Sequence, residues 1–220
     1  MNLKKYSLIL ASKSPRRKDL LEYLNIPFEI IPSNIDEVGD ETNPVELAKS
    51  IAKEKGTFVY KKLELKPDFG KKFYPLVIGC DTIVVLNKKV YAKPKNKKDA
   101  GRMLLELSGK THEVITGVNL CRFDIDKERY LEKEFFVSSK VKFDNISKDI
   151  LDIYLATGDS LDKAGAYGIQ GPSLTFISYL RGSYSNVVGF PLSDLVLRLK
   201  NFLGYRDDQD GKWRDLFLKP

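Results

Sequence analysis

Residues 76–86 read Leu-Val-Ile-Gly-Cys-Asp-Thr-Ile-Val-Val-Leu, an apolar run that a single acidic residue, Asp81, interrupts. Apolar side chains at consecutive positions are typical of a strand whose two faces are both covered by other elements. The run therefore predicts a segment that belongs inside a sheet.

Asp81 is the unusual residue of this strand, because a carboxylate is costly to bury alone. We expect it to be paired with a cation, to hold a metal ion or to keep a proton. Each of these states suits a catalytic acid–base or a metal-binding group. The alternative is an aspartate in a tight hairpin turn, since Gly79 lies two residues before it.

Strands and helices are interspersed along the rest of the chain. An apolar strand at residues 8–11 leads into a helix that Ser14 caps and Pro15 begins. The last clear helix spans residues 191–204, and the middle of the chain contains hairpin-like strand pairs. This pattern predicts an α/β fold with a mixed β-sheet flanked by helices, arranged as two lobes around a central cleft.

Three segments have less regular patterns. Residues 63–75 are basic, contain glycine and proline, and are predicted to form a surface loop, whereas residues 174–179 are predicted to form a strand. The tail, residues 205–220, is polar with late aromatic residues and matches no element. We therefore divide the chain into one domain over residues 1–204 and a C-terminal extension over residues 205–220.

The composition is that of a globular protein. The chain has 220 residues, of which 42% are hydrophobic, and this suits one large domain or two small lobes. Its apolar runs fall short of the roughly 20 residues that span a bilayer, and we recognise no secretory signal. Cys80 and Cys121 are too few for a disulfide framework. We expect a cytoplasmic protein that does not bind membranes.

A single histidine, His112, restricts the metal chemistry. Sites built from several histidines are excluded, and any Ser-His-Asp arrangement would have to use His112. A metal ion would then be held by carboxylates, which suits Mg²⁺ or Mn²⁺ better than zinc.

The net charge of +7 suits a polyanionic ligand such as a triphosphate, a nucleic acid or an acidic surface. Scattered lysines that only improve solubility explain the charge equally well. The lysines are not interleaved with aromatic residues, so the pattern does not favour nucleic acid as a partner.

The helix that begins at Pro15 is a candidate phosphate site. Residues 12–17 read Ser-Lys-Ser-Pro-Arg-Arg, so free backbone N–H groups, two hydroxyl groups and two arginines lie at one helix N-terminus. The alternative is an ordinary Ser-Pro helix cap with exposed arginines. Lys55 shares the apolar stripe of Ile51 and Val59, where a lysine either reaches the surface or meets an anion. Lys93, before Pro94, is a further candidate cation.

Further short blocks accompany these residues along the chain. In order, the blocks are Ala-Ser-Lys-Ser-Pro-Arg-Arg (11–17), Asp-Glu (36–37), Ala-Lys-Glu-Lys (52–55), Gly-Cys-Asp-Thr (79–82), Lys-Pro (93–94), Leu-Ser-Gly (107–109) with His112, Thr-Gly-Val (116–118), Asp-Lys-Ala-Gly-Ala-Tyr-Gly-Ile-Gln-Gly (162–171), Gly-Ser-Tyr (182–184) and Asn-Val-Val-Gly-Phe-Pro (186–191). Taken together, they resemble the Maf family of nucleotide pyrophosphatases, relatives of the inosine-triphosphate pyrophosphatases. The resemblance extends from about Leu8 to Leu195.

The resemblance implies a homodimer with an elongated mixed sheet and a cleft between two lobes. It also implies cleavage between the α and β phosphates of a nucleoside triphosphate, with Asp81 as the acid–base and metal-linked residue and with Glu37 helping to hold a divalent metal. The phosphate-binding residues that it implies are Ser12, Arg17, Lys55 and Lys93.

The same resemblance implies a base preference. The residues at matching positions are Arg16, Thr82 and Gln170. Thr82 directly after Asp81, and the later Ile-Gln-Gly at 169–171, resemble the branch that acts on dTTP and UTP rather than the branch that acts on 7-methyl-GTP.

Two other functions remain open. One is a non-catalytic protein that binds nucleotides or nucleic acid and regulates cell division, which the positive charge would suit. The other is hydrolysis of modified or damaged nucleotides, which differs from the first hypothesis only in the substrate.

Overall fold

The computed structural model describes residues 6–35, 41–70, 74–205 and 212–217. Within these ranges one mixed sheet is flanked by helices, which confirms the predicted α/β class. The strands are β1 (Tyr6–Leu10), β2 (Phe28–Ile30), β3 (Tyr74–Leu86), β4 (Lys89–Tyr91), β5 (Thr111–Asp124), β6 (Arg129–Phe143) and β7 (Ile177–Arg181). The helices are α1 (Pro15–Glu22), α2 (Pro44–Glu64), α3 (Lys97–Leu107), α4 (Lys148–Ala156), α5 (Tyr184–Val188) and α6 (Leu192–Phe202).

The sheet has the strand order β2-β1-β3-β5-β6-β7, with β4 added beside β3. β1 is parallel to β2 and β3, and the remaining pairs are antiparallel. β5 covers one edge of β3 almost completely. On the other edge β1 pairs with β3 as far as Ile78, and β4 pairs with it from Val84 onward. The residues between them, 79–83, border a gap that we call the notch.

The two faces of β3 contact different helices. Its even-numbered apolar residues, such as Leu76 and Ile78, pack in a core with α1 and α6, and Val84 and Leu86 pack in a second core with α3 and α4. The odd-numbered residue Val77 faces α2. The long apolar run is therefore covered on both faces.

Helix α2 lies unusually close to the sheet because glycines line the contact. A Cβ atom at Gly79 of β3 would lie 2.2 Å from the carbonyl oxygen of Ala52, and one at Gly117 of β5 would lie 2.2 Å from that of Ala48. The backbones of helix and sheet therefore touch, and side chains that α2 directs at the sheet reach β3.

The secondary structure predicted for two segments was wrong. The predicted loop at residues 63–75 is helical at its start, where Leu63 is buried in α2, and its last two residues already belong to β3. The predicted strand at 174–179 begins only at Ile177, because Gly171–Thr175 forms a 3₁₀ turn. Gly171 has a φ of +80° and Pro172 follows it, a pair that favours a tight turn over extended chain.

The described part of the tail packs on the main body. A 3₁₀ turn at Lys212–Leu216 buries Trp213 in the core of α1 and α6, and Phe217 forms a parallel bridge with Tyr6 of β1. None of the helices in the described ranges has both the length and the apolar composition that a membrane span requires.

The close contact of α2 predicts that Gly117→Ala destabilises the fold. The added methyl group would overlap the Ala48 carbonyl and force α2 away from β5, so we expect the free energy of unfolding to fall by about 1–3 kcal/mol or more. Urea denaturation measures this. Gly101→Ala in α3 is the matched control, because its nearest neighbour is the flexible end of Leu155. If Gly117→Ala and the unsubstituted protein had equal free energies of unfolding, the close contact between α2 and β5 would be contradicted.

His112 predicts a pH dependence of stability. The residue is 2% exposed, its Nε2 lies 2.7 Å from the Tyr167 hydroxyl, and burial lowers its pKa from 6.5 to about 4. Below pH 6.5 the unfolded chain binds a proton that the folded chain does not, so stability is lost as pH falls from 6.5 towards 4. The slope should approach roughly 1.4 kcal/mol per pH unit. Unfolding free energies between neutral pH and about pH 5 should show this slope, and His112→Gln should lack it.

Candidate active site

A cleft of about 600 Å³ opens at the notch between β1 and β4. Its walls come from α1, α2, β3, the segment after β4, residues 159–171 and the end of α5. The predicted site residues that line it are Arg16, Arg17, Lys55, Asp81, Thr82, Lys93 and Gln170.

Asp81 and Lys55 form a buried ion pair in this cleft. Lys55 Nζ lies 2.7 Å from Asp81 Oδ1, and the two residues are 5% and 6% exposed. Asp81 is in the middle of β3, opposite Gly117, and not in a hairpin turn. Its odd-numbered position directs it to the face on which α2 lies, and the helical spacing of Ile51, Lys55 and Val59 directs the lysine to the same place. Of the three states expected for Asp81, the structure shows the pairing with a cation.

Arg17 fills the notch. The predicted helix start is confirmed, because the Ser14 side chain accepts the backbone N–H of Arg17. The guanidinium donates from Nη1 to the carbonyl of Cys80 at 2.9 Å, from Nε to the carbonyl of Gly189 at 2.8 Å and from Nη2 to the hydroxyl of Thr82 at 3.1 Å. An arginine therefore satisfies a strand carbonyl of the notch and lines the cleft at the same time.

Ser12 lies behind Arg17 and is not among the residues that line the cleft. It is 8% exposed, and its hydroxyl oxygen accepts from Arg17 Nη1 at 3.1 Å and from the backbone N–H of Ser14 at 3.2 Å. These bonds hold Arg17 and the start of α1. A direct contact between Ser12 and phosphate stays a prediction.

An ion-pair network crosses the mouth of the cleft. Arg16 Nη1 lies 3.0 Å from Asp162 Oδ2, and Lys163 Nζ lies 2.7 Å from Asp162 Oδ1 and 2.8 Å from Asp159 Oδ1. Burial raises the pKa of Asp162, but the hydrogen bonds from Lys163 and Arg16 outweigh it and the pKa is lowered. Sequence reasoning assigned no role to these two aspartates, although Asp162 is the first residue of the block at 162–171.

The remaining predicted residues lie around the rim. Thr82 is on the opposite face of β3 from Asp81 and contacts Arg17. Lys93, beyond β4, and Gln170, before the Gly171 turn, are exposed side chains of the cleft wall. Glu37 lies outside the described residues. Within the described ranges, histidine, cysteine and acidic side chains form no group of three or more that could hold a metal ion.

The cleft thus combines a carboxylate with several cations. Asp81 is its buried acid, and Lys55, Arg17, Arg16, Lys93 and Lys163 contribute positive charge. These five cations outnumber the three carboxylates of the lining, Asp81, Asp159 and Asp162. The excess suits a polyanionic ligand such as a phosphate chain, because arginine and lysine donate charge-assisted hydrogen bonds to phosphate oxygens.

Comparisons with known proteins agree with this arrangement. The model of the family described as Maf-like protein matches residues 7–202. A dTTP/UTP pyrophosphatase of Bacillus cytotoxicus is 40% identical over 195 residues, which cover 88% of this chain and 94% of the relative. Proteins with the same name from Bacillus anthracis and Bacillus cereus are 42% and 41% identical, over 89% and 91% of this chain and over 95% and 91% of their own lengths.

The family model spans most of the chain, including every described residue that lines the cleft. The relatives are similar over nearly their whole length. The chain therefore belongs to the family of Maf-like proteins.

Proposed function

We propose that this protein hydrolyses nucleoside triphosphates to the monophosphate and pyrophosphate, with a preference for dTTP and UTP. The observation that carries the proposal is the buried Asp81–Lys55 pair in a cleft where cations outnumber carboxylates. A carboxylate is not needed to bind phosphate and would repel it, so its place there indicates chemistry rather than binding alone. The names of the relatives support the reaction and the two pyrimidine substrates.

The acidic residue has a defined role in this reaction. Asp81 orients or deprotonates the water molecule that attacks the α-phosphorus. Lys55 compensates the charge of the buried carboxylate at 2.7 Å and fixes its position. Because Lys55 itself lines the cleft, it also lies where an incoming phosphate group would meet it.

The donor set suits a divalent cation. Mg²⁺ is commonly bound through one or two carboxylates together with substrate phosphates, so the absence of a larger acidic group among the described residues is compatible with it. Asp81, with Glu37 as a second ligand, would hold Mg²⁺ or Mn²⁺. The bound ion would neutralise phosphate charge and polarise water.

The cationic side chains bind the leaving group. Arg17 and Lys93 lie on the walls of the cleft, where they can bind the phosphate groups that leave as pyrophosphate. Arg16, Thr82 and Gln170 lie around the same cleft and are proposed to contact the base. Arg16 would do so after leaving Asp162 or while still paired with it.

The protein is further proposed to be a cytoplasmic homodimer. The edge strand β7 and its neighbours carry large exposed apolar side chains, which support a contact between two copies. Tyr179 is 57% exposed, Leu174 60% and Tyr184 49%.

Asp81→Asn is expected to lower kcat for dTTP by roughly a thousandfold, because an amide cannot accept the proton of the attacking water. Pyrophosphate release measures the rate, and circular dichroism checks the fold. Asp124→Asn is the matched control, since Asp124 is also buried and pairs with Arg122 but lies outside the cleft. The control should lose stability and keep its activity. Near-normal turnover by Asp81→Asn would show that Asp81 is not the catalytic group.

A panel of triphosphates tests the substrate and the metal. Pyrophosphate release from dTTP and UTP is expected with Mg²⁺ or Mn²⁺, and it should stop when a chelator is added. Turnover confined to 7-methyl-GTP, inosine triphosphate or modified nucleotides would keep the reaction and refute the base preference. With no turnover of any triphosphate, the alternative would be a non-catalytic binding protein, and steep salt dependence of duplex DNA binding would support it.

A further inference from the structure

Thr116 lies directly behind the cleft without reaching it. It is opposite Thr82 in the β3–β5 pair, is fully buried and is not among the residues that line the cleft. The hydroxyl oxygens of Thr82 and Thr116 are 3.0 Å apart. Thr82 in turn accepts a hydrogen bond from Arg17 Nη2 at 3.1 Å. Thr116 is therefore linked to a cation of the site through one intervening hydroxyl group.

The direction of each hydrogen bond in this link follows from its two ends. Arg17 can only donate, and the carbonyl oxygen of Asn186, 3.1 Å from Thr116 Oγ1, can only accept. Thr116 thus donates to Asn186, and its own oxygen accepts the proton of Thr82. The other acceptor near Thr82 is the carbonyl of Gly189, which is 3.4 Å away and already accepts from Arg17 Nε.

Asn186, at the far end of this series of hydrogen bonds, is itself firmly held. Asn186 is fully buried, and its side-chain Nδ2 donates to the carbonyl of Val114 and to the hydroxyl of Ser139, each at 3.0 Å. Hydrogen bonds in such a chain polarise one another in a buried setting. Thr82 therefore presents a fixed acceptor to Arg17.

The acceptors of the other Arg17 N–H groups show which proton remains for a ligand. Nε donates to Gly189, and the two protons of Nη1 go to Ser12 and Cys80. Thr82 takes one proton of Nη2. The second proton of Nη2 has no acceptor among the described residues, and it belongs to a side chain that lines the cleft.

We propose that Thr116 is a positioning residue: through the hydroxyl of Thr82 it orients Arg17 so that one Nη2 proton is presented to a substrate phosphate. This inference rests on the proposed function, because it assigns Arg17 a phosphate ligand. It is independent of which base the enzyme prefers.

Thr116→Val tests the proposal, since valine keeps the shape and removes the hydroxyl. The Asn186 carbonyl would still accept the N–H of Gly189 at 2.9 Å, so the fold should remain intact. We expect KM for dTTP to rise about tenfold with kcat changed less than about threefold, because a misaligned arginine weakens phosphate binding. Thr116→Ser restores the hydroxyl and should return KM to within about twofold of the unsubstituted enzyme.

A double-substitution cycle separates positioning from packing. If Thr116 acts through Thr82, then Thr116→Val should add little to the KM effect of Thr82→Val. The affinity for a non-hydrolysable α,β-methylene analogue of dTTP, measured by calorimetry, should fall by the same factor as KM rises.

Three results would overturn the proposal. These are unchanged KM and affinity in Thr116→Val, an equal defect in Thr116→Ser, and effects of Thr82→Val and Thr116→Val that simply multiply. The calorimetric comparison keeps this test separate from the proposed function, because it needs no turnover. A chain that neither hydrolyses nor binds any triphosphate would refute both.

Discussion

The contact between Lys55 and Asp81 is the interaction on which the rest of the site depends. A carboxylate within β3 requires a partner at short range, and the partner comes from a helix that has to lie almost on the backbone of the sheet. Gly79 and Gly117 make that approach possible, since any side chain there would overlap the carbonyl groups of α2. Two glycines on the sheet thus determine where the charge of a helix side chain is placed.

The second constraint is the incomplete pairing of β3. β1 and β4 share one edge of this strand and leave the notch between them. Among the described residues, the carbonyl of Cys80 therefore has no backbone N–H of a neighbouring strand to accept and needs another hydrogen-bond donor. Arg17 provides it. The same gap that gives access to Asp81 thereby holds the arginine, and the alternation of side chains along β3 directs Asp81 to one helix and Thr82 to the other side.

Much of this arrangement follows from the sequence, for identifiable reasons. The apolar run around Asp81, the stripe that contains Lys55 and the Ser14-Pro15 helix start are local patterns, and the structure confirms all three. The Asp162 network was not predicted, because it joins residues 146 positions apart. The helical continuation at Leu63 was missed because lysines and a glycine nearby resemble a loop. Glu37 lies outside the described residues, so its assignment still rests on resemblance alone.

The tail shows how a boundary drawn by similarity differs from a physical one. The family model ends at residue 202, yet Trp213 and Phe217 are each only 2% exposed, and they pack with Tyr6 at the first strand. A protein truncated where the similarity ends would expose the apolar surface that these two rings cover, and such surface promotes aggregation. Trp213 and Phe217 therefore cover part of the first strand, and the physical boundary of this core lies beyond the end of the family match.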